Sequence, residues 1–490
     1  MHPFLILLVG VVVVVGSILA LRLHSFLALA LGAIVVAGLT PRANLERYAE
    51  AELKAGKMAA RDAKSLAGDP WGKRVAAAFG NTCGGVGIII ALAAIIGQCM
   101  LSSGGADRIV RSTLGLMGDR AAPLAFAAAG FLLGIPVFFD TVFYLMIPLG
   151  KALAARTGKD YGLYIMTIAA GATISHSLVP PTPGPLLVAS QIKMNGQPII
   201  GEMILAGIVV GALSVIPGVL YAFWSNRRWP VPLRETPDAP LEKLRAMAER
   251  DPRSLPPLWL ALVVILLPVA LIVGAAVIGS LSKETQESIS PLVRSAFRNL
   301  GDSNVALGIA AVVAIGMALR WRTGGAEKGG ASLEAALGSA GQIILITAAG
   351  GAFGLMLQQT MVGDEIKKLF PADTLGVVAL VGAFLVTTLV RVAQGSATVA
   401  MVTAIGMFAG MADPEKLGFH PVYLALAIGF GSKPLPWMND SGFWVVCKMS
   451  GQTVGETLRN HTVVFTTMGI SGLFFTVLAA KLFPFVGGGP

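Results

Sequence analysis

The sequence predicts an all-α polytopic membrane protein organised as two structural repeats with broken helices. Apolar runs of about 20 residues, long enough to cross a bilayer, recur from end to end of the 490-residue chain. Charged residues make up 13% of it, where an average soluble chain has roughly a quarter, and the mean hydropathy is +0.74. Two apolar stretches also look alike at one constant spacing of 257 residues, each with a break and a lone charge beside it. The strand alternation of an outer-membrane barrel is missing, which leaves helices as the spanning elements.

Met1 to Leu21 and Ser25 to Leu39 form an opening helical pair. The N-terminus has no basic leader and no small-residue cleavage site, so it reads as a retained first span. Residues 41–74 are polar and of mixed charge, and the spacing of Ala and Leu predicts an amphipathic surface helix closing the N-terminal unit, 1–74. Repeat one covers 75–224. It holds a helix from Val75 to Leu101, a broken segment over 121–157, a proline-interrupted segment from Tyr161 to Lys193, and a helix from Ile200 to Trp224. A charged loop and connecting helices (257–280 and 303–320) fill 225–336, with a polar stretch over 281–301 outside the hydrocarbon core. Repeat two covers 337–490.

Residue pairs at the common offset support the repeat: Ile89 with Ile346, Ala91 with Ala348, Gly97 with Gly354, Asp107 with Asp364, Ile109 with Ile366. Thr141 with Thr398, Val142 with Val399 and Ser175 with Ser432 follow the same rule. Whether the repeats run parallel or inverted stays open, because a re-entrant hairpin and a full span look alike in hydropathy. Interrupted hydrophobic segments at matching positions mark the binding site of a secondary transporter.

The net charge is +10, but Lys and Arg fall mostly in loops, as in membrane proteins with cytoplasmic basic loops. No basic face interleaved with aromatics is evident, so nucleic acid is not an expected partner. Three cysteines, Cys83, Cys99 and Cys447, lie in apolar text without a CxxC spacing and read as buried small hydrophobes; no metal site is expected. HExxH, GxSxG and P-loop signatures are missing. The expectation is a carrier and not an enzyme, without cofactor, driven by an ion gradient or a partner.

Asp140 is the only charge in Ala121–Gly150 and follows the helix-disrupting Gly134-Ile135-Pro136. An ionisable group at membrane depth is costly and is a functional candidate by default. Asp140 could carry a coupling proton, or it could be a structural partner of Arg391. In Gly171–Ser190, Pro180, Pro181, Pro183 and Pro185 cannot share one helix. The backbone must open, and freed amides at a helix start beside Thr182 and Gly184 would attract an anion. His176, just before that break, titrates near neutral pH and is the second proton candidate; its structural alternative is a hydrogen bond to a neighbouring carbonyl. Arg391 near the end of a long apolar helix is the best candidate to hold a carboxylate, since its guanidinium is always charged and donates two parallel bonds. The alternative is an arginine snorkelling from a helix end. Gln394, Gly395, Ser396 and Thr398 form a polar break suited to uncharged hydroxyls. Asn439, Asp440 and Ser441 follow Pro434 and Pro436 and read either as plain capping residues or as acceptors for sugar hydroxyls.

These segments resemble the gluconate:proton symporter (GntP) permease family over most of the chain. The resemblance is most specific at Gly134–Asp140, at His176 with the Pro180–Pro185 run, at Arg391–Ala400, and at Asn439–Trp444. It implies proton-coupled uptake of gluconate or a related sugar acid across the bacterial inner membrane. It also implies the ion-transporter superfamily architecture: inverted repeats, re-entrant hairpins, a scaffold domain, a mobile elevator-like transport domain, and a homodimer. Three positions depart from the family pattern. Asp140 stands where Glu is usual, Thr182 where His is usual, and Trp437 where a second His is usual.

The sequence thus predicts a multi-pass symporter for a small hydroxylated monocarboxylate, embedded in the lipid bilayer. Arg391 and half-helix amides would hold the carboxylate, the Gln394–Thr398 and Asn439–Ser441 groups the hydroxyls, and Asp140 and His176 the proton. A sodium-coupled carboxylate carrier is the alternative, and a passive anion channel a weaker one.

Overall fold

Away from water, every backbone N–H and C=O needs a partner inside the protein, and a helix supplies it within one segment. The computed structural model is accordingly helical almost throughout. It describes residues 2–54, 58–194, 196–234, 254–280, 288–321, 326–362, 365, 375–438 and 440–485. In chain order the helices are α1 (Pro3–Leu19), α2 (Ser25–Leu39), α3 (Arg42–Lys54), α4 (Ala60–Leu66), α5 (Trp71–Ser102), α6 (Gly105–Met117), α7 (Ala122–Leu133), α8 (Phe139–Thr157), α9 (Tyr161–Leu178), α10 (Pro183–Gln191) and α11 (Ile200–Arg228). Then come α12 (Leu258–Ser280), α13 (Pro291–Leu300), α14 (Ser303–Trp321), α15 (Ala326–Gln359), α16 (Leu375–Gln394), α17 (Ala397–Phe408), α18 (Pro414–Leu417), α19 (Val422–Gly431), α20 (Ser441–Ser450), α21 (Val454–Thr457) and α22 (Val463–Leu482). One two-residue antiparallel ribbon, Lys193–Met194 with Gln197–Pro198, turns the chain between α10 and α11.

Seven helices among the described residues are long and apolar enough to cross a membrane, or eight if the bent pair α2–α3 is one span. From α5 the chain runs through α6 and the broken pairs α7/α8 and α9/α10 to α11; from α15 it runs through the broken pair α16/α17, the short α18 and the broken pair α19/α20 to α21 and α22. Helices α5 and α15 end 257 residues apart, at Ser102 and Gln359, and pack along each other. The expected partners of Asp107 and Ile109, Asp364 and Ile366, lie outside the described residues.

The lipid-facing sides follow from helical periodicity. On α11, Leu205, Val209, Leu213, Ile216, Leu220 and Trp224 are all exposed and form one stripe. Ile470, Phe474, Leu478 and Leu482 do the same on α22. Continuous apolar stripes of this kind are an aggregation hazard in water, whereas hydrocarbon tails accept them. The interior uses small residues for close helix approach. A Cβ at Gly171 would lie 2.0 Å from the carbonyl oxygen of Ala127, which fixes how closely α9 lies on α7. The α9–α10 segment forms the centre: 94% of its apolar window is buried within the protein, against 28–61% for the other spans.

Some expected boundaries move. The helix expected over Val75–Leu101 runs Trp71–Ser102, and the one over Ile200–Trp224 continues to Arg228. There Ser225 donates to Asn460 and Asn226 to Asp160, which extends the polar end by tertiary contact. The surface helix expected in 41–74 is two helices, α3 and α4. The polar stretch 281–301 contains α13, none of whose residues is buried. The apolar part of α1, Pro3–Val14, is shorter than a full span.

Candidate functional site

Four helix breaks interrupt the central helices, and each has a local cause. Gly134–Phe138 separates α7 from α8, because Pro136 cannot continue the ladder. Val179–Thr182 separates α9 from α10, with a cis Pro180–Pro181 bond. Pro183 then occupies the first turn of α10, where a missing N–H costs nothing. Between α16 and α17, Gly395 takes φ +77°, the left-handed region glycine enters freely. Ser396 caps α17 by accepting from the amide of Val399 at 3.3 Å. Ser432–Asp440 separates α19 from α20, and Asp440 caps α20 by accepting from the amide of Gly442 at 2.9 Å.

The breaks pair crosswise. A Cβ at Gly184, in the first turn of α10, would sit 2.0 Å from Met401 Cε and 3.7 Å from the Cα of Thr398, so the starts of α10 and α17 meet. A Cβ at Gly442 would sit 3.2 Å from Phe139, the residue before Asp140, so the starts of α20 and α8 meet. Phe138 lies edge-on to His176 at 5.9 Å, joining the two pairs. Segments more than 200 residues apart in sequence therefore share one polar centre in the membrane domain.

Arg391 is buried in that centre and does not snorkel. Its Nε donates to the carbonyl of Ser432 at 3.1 Å and its Nη2 to the carboxylate of Asp440. Its Nη1 is buried with no partner among the described residues. Asp440 therefore caps a helix and pairs a guanidinium at once. The sequence offered Asp140 as the structural partner of Arg391; Asp440 takes that place. Asp140 sits in the first turn of α8, part-exposed. The Nδ1 of His176 is buried without a hydrogen-bond partner among the described residues.

Thr182 donates its hydroxyl to the carbonyls of His176 (2.7 Å) and Val179 (2.9 Å), which lose their helical partners at the prolines. Its oxygen keeps acceptor capacity toward a ligand. Gly395 is buried, and Ser396 and Thr398 are part-buried at the start of α17. Asn439 and the side chains of Gln394 and Ser441 lie outside the described residues. Trp437 turns its indole N–H to the carbonyl of Val392 at 2.9 Å, and the residue is 41% exposed. Among the described residues no group of three or more His, Cys, Asp or Glu side chains could hold a metal.

Two further polar residues of the centre were not singled out in the sequence. Lys433, 2% exposed, donates from Nζ to the carbonyl (3.1 Å) and the hydroxyl (2.9 Å) of Thr173 on α9, and lies 5.7 Å from the ring centre of Phe465. It stands 257 residues after His176, so the repeat spacing itself could have found it. His461 lies in a five-residue π-helical turn, Leu458–Thr462, between α21 and α22. Its ring packs 4.0 Å from that of Phe465, and neither nitrogen has a hydrogen-bond partner among the described residues. Single π turns concentrate at functional sites, but a π turn has no sequence signature.

Apolar helices broken at a shared buried cluster of opposite charges, with lipid-facing stripes around them, have the architecture of a multi-pass membrane permease. Residues 63–482 match the GntP family permease model, and the chain belongs to that family. It is 34% identical over 404 residues to a gluconate permease of Pseudomonas aeruginosa, covering 82% of this chain and 85% of that one. It is 30% identical over 397 residues to the Gnt-II system L-idonate transporter of Escherichia coli, covering 81% and 85%. Among solved structures it is similar in fold to MtrF of Neisseria gonorrhoeae, with a TM-score of 0.59 and 16% identity over 83% of each chain.

Proposed function

We propose that this permease is a secondary active symporter that takes up a small hydroxylated monocarboxylate, gluconate or a related sugar acid, together with protons across the bacterial inner membrane. The observation that carries this reading is the Arg391 guanidinium. It is buried where four helix breaks meet, is held by Asp440 and Ser432, and has one nitrogen without a partner among the described residues. A planar guanidinium suits a carboxylate, and a buried donor left unpaired costs about 1–3 kcal/mol, which a ligand oxygen would recover. Amides at the starts of α10 and α17, beside Gly184 and Gly395, add to the anion site. Ser396, Thr398, Thr182, Gln394, Asn439 and Ser441 supply groups for substrate hydroxyls, with Asp440 bridging the two functions. The names of the relatives, gluconate permease and L-idonate transporter, favour a sugar acid.

Asp140 and His176 are the first candidates for the coupling proton, because both side chains are ionisable and both lie at this cluster. The repeats, 75–224 and 337–490, are proposed to be inverted, with the broken pairs forming a mobile transport domain that moves elevator-like against a scaffold in a homodimer. Uptake of radiolabelled gluconate into proteoliposomes tests the reading. A pH gradient with the acid side outside should drive accumulation without sodium. Accumulation that follows a sodium gradient at clamped pH would replace protons with sodium. Equilibration without accumulation under either gradient would make the protein a channel.

A further inference from the structure

Lys433 is a buried amine that the capping, substrate and proton roles above leave unused. Its Nζ is held by the oxygens of Thr173 and by the face of Phe465. No carboxylate lies within ion-pair distance of it among the described residues. The one nearby acid of the same break, Asp440, is already committed to Arg391 and to the amide of Gly442. The loop is clamped in place: a Cβ at Gly469 on α22 would come within 2.9 Å of Pro434 and 3.1 Å of the Cβ of Lys433. The charged and titratable groups around it are Arg391 from α16, Asp440 from the break itself, His176 from α9 and His461 from the π turn, with Asp140 beyond Asp440.

Charge balance follows from these contacts. Arg391 and Asp440 neutralise each other whether or not substrate is present, and with Asp140 as the neutral acid the rest of the count falls to Lys433. An unmatched ammonium at membrane depth is costly, so the empty site is balanced with Lys433 as a neutral amine. A substrate carboxylate adds one negative charge, and the loaded site is balanced with Lys433 protonated. A compact amine that changes protonation is the property that separates lysine from the permanently charged arginine.

We propose that Lys433 is the coupling group of this transporter, taking up one proton with each carboxylate bound and losing it when the carboxylate leaves. The inference rests on the symport reading above and assigns its proton to a residue other than Asp140 or His176. In the step, the neutral Nζ accepts a proton from water on the entry side. The resulting ammonium stands against the carboxylate through the transition, and the proton passes to water on the release side once the anion has gone. Thr173 orients the amine as acceptor of its hydrogens in the protonated form.

The test compares two transport modes in proteoliposomes with radiolabelled gluconate: exchange, in which only the loaded site crosses, and accumulation driven by a pH gradient, in which the empty site must return. Lys433→Arg keeps the charge and the donors but cannot release a proton. It should exchange within a few-fold of wild type and lose net accumulation. Lys433→Arg that accumulates to the wild-type ratio overturns the assignment. Thr173→Val gives an independent measure should the arginine variant not insert. Removing the hydroxyl acceptor disfavours the protonated amine, so half-maximal uptake should shift to lower pH, and an unmoved profile counts against Lys433. If wild type neither exchanges nor accumulates any sugar acid, the symport reading itself falls, and the role of Lys433 with it.

Discussion

Arg391 and Asp440, 49 residues apart and both buried, are joined by a charge-assisted hydrogen bond across two different helix breaks. The bond ties the end of α16 to the start of α20. It also leaves the guanidinium with one edge, Nη1, that has no partner among the described residues at the point where the breaks converge.

Removing either partner has a different expected result. Arg391→Ala should abolish gluconate uptake while the protein still reaches the membrane. Asp440→Ala leaves a buried guanidinium uncompensated, which typically costs about 3–5 kcal/mol, so it should lower the melting temperature in detergent more than Arg391→Ala does. A double variant, Arg391→Met with Asp440→Leu, should recover most of the stability and none of the uptake. Uptake by Arg391→Ala at wild-type abundance would remove the guanidinium from the substrate site.

Thr182 offers a second test, because its hydroxyl closes the α9–α10 break by donating to two freed carbonyls. Thr182→Val should destabilise the protein by about 1 kcal/mol, with Thr182→Ser close to wild type. The measurement is thermal stability alongside the KM of uptake. A raised KM at unchanged stability would mean that the hydroxyl acts chiefly on substrate.

Helix approach gives a third prediction. Gly171→Ala places a methyl group 2.0 Å from the backbone oxygen of Ala127, which cannot swing aside. Overpacking of this kind typically costs about 1–3 kcal/mol, so abundance in the membrane and melting temperature should both fall. Gly85→Ala meets nothing within 4 Å on α5. Alanine there should be neutral or stabilising by up to about 1 kcal/mol, since it favours the helix over the free chain. Equal effects from the two substitutions would contradict the close contact of α7 and α9.

Much of the fold was legible from short stretches of chain. Proline lacks an N–H wherever it stands, so the interruption of α9–α10 at Pro180 and Pro181 could be placed within a few residues. The charge in apolar text at Arg391 likewise pointed to the buried centre before any contact was known. Partner choice was not legible. Asp140 and Asp440 are equally plausible mates for Arg391 in one dimension, and only packing selects Asp440. His461 gave no signal, because its π turn arises from the junction of α21 and α22 rather than from a local motif. Lys433 was visible only through the repeat spacing that relates it to His176.

By itself the sequence determined the membrane class, the helical elements, the places where they break and the residue types available at each break. Hydrophobicity and proline chemistry act over a few residues and do not depend on distant neighbours. The tertiary structure alone decided that the starts of α10 and α17 meet, that Asp440 holds Arg391, and that Lys433 reaches Thr173 across 260 residues. Those pairings depend on which helix faces can approach closely enough to touch, a property of the whole packed bundle that no local stretch encodes.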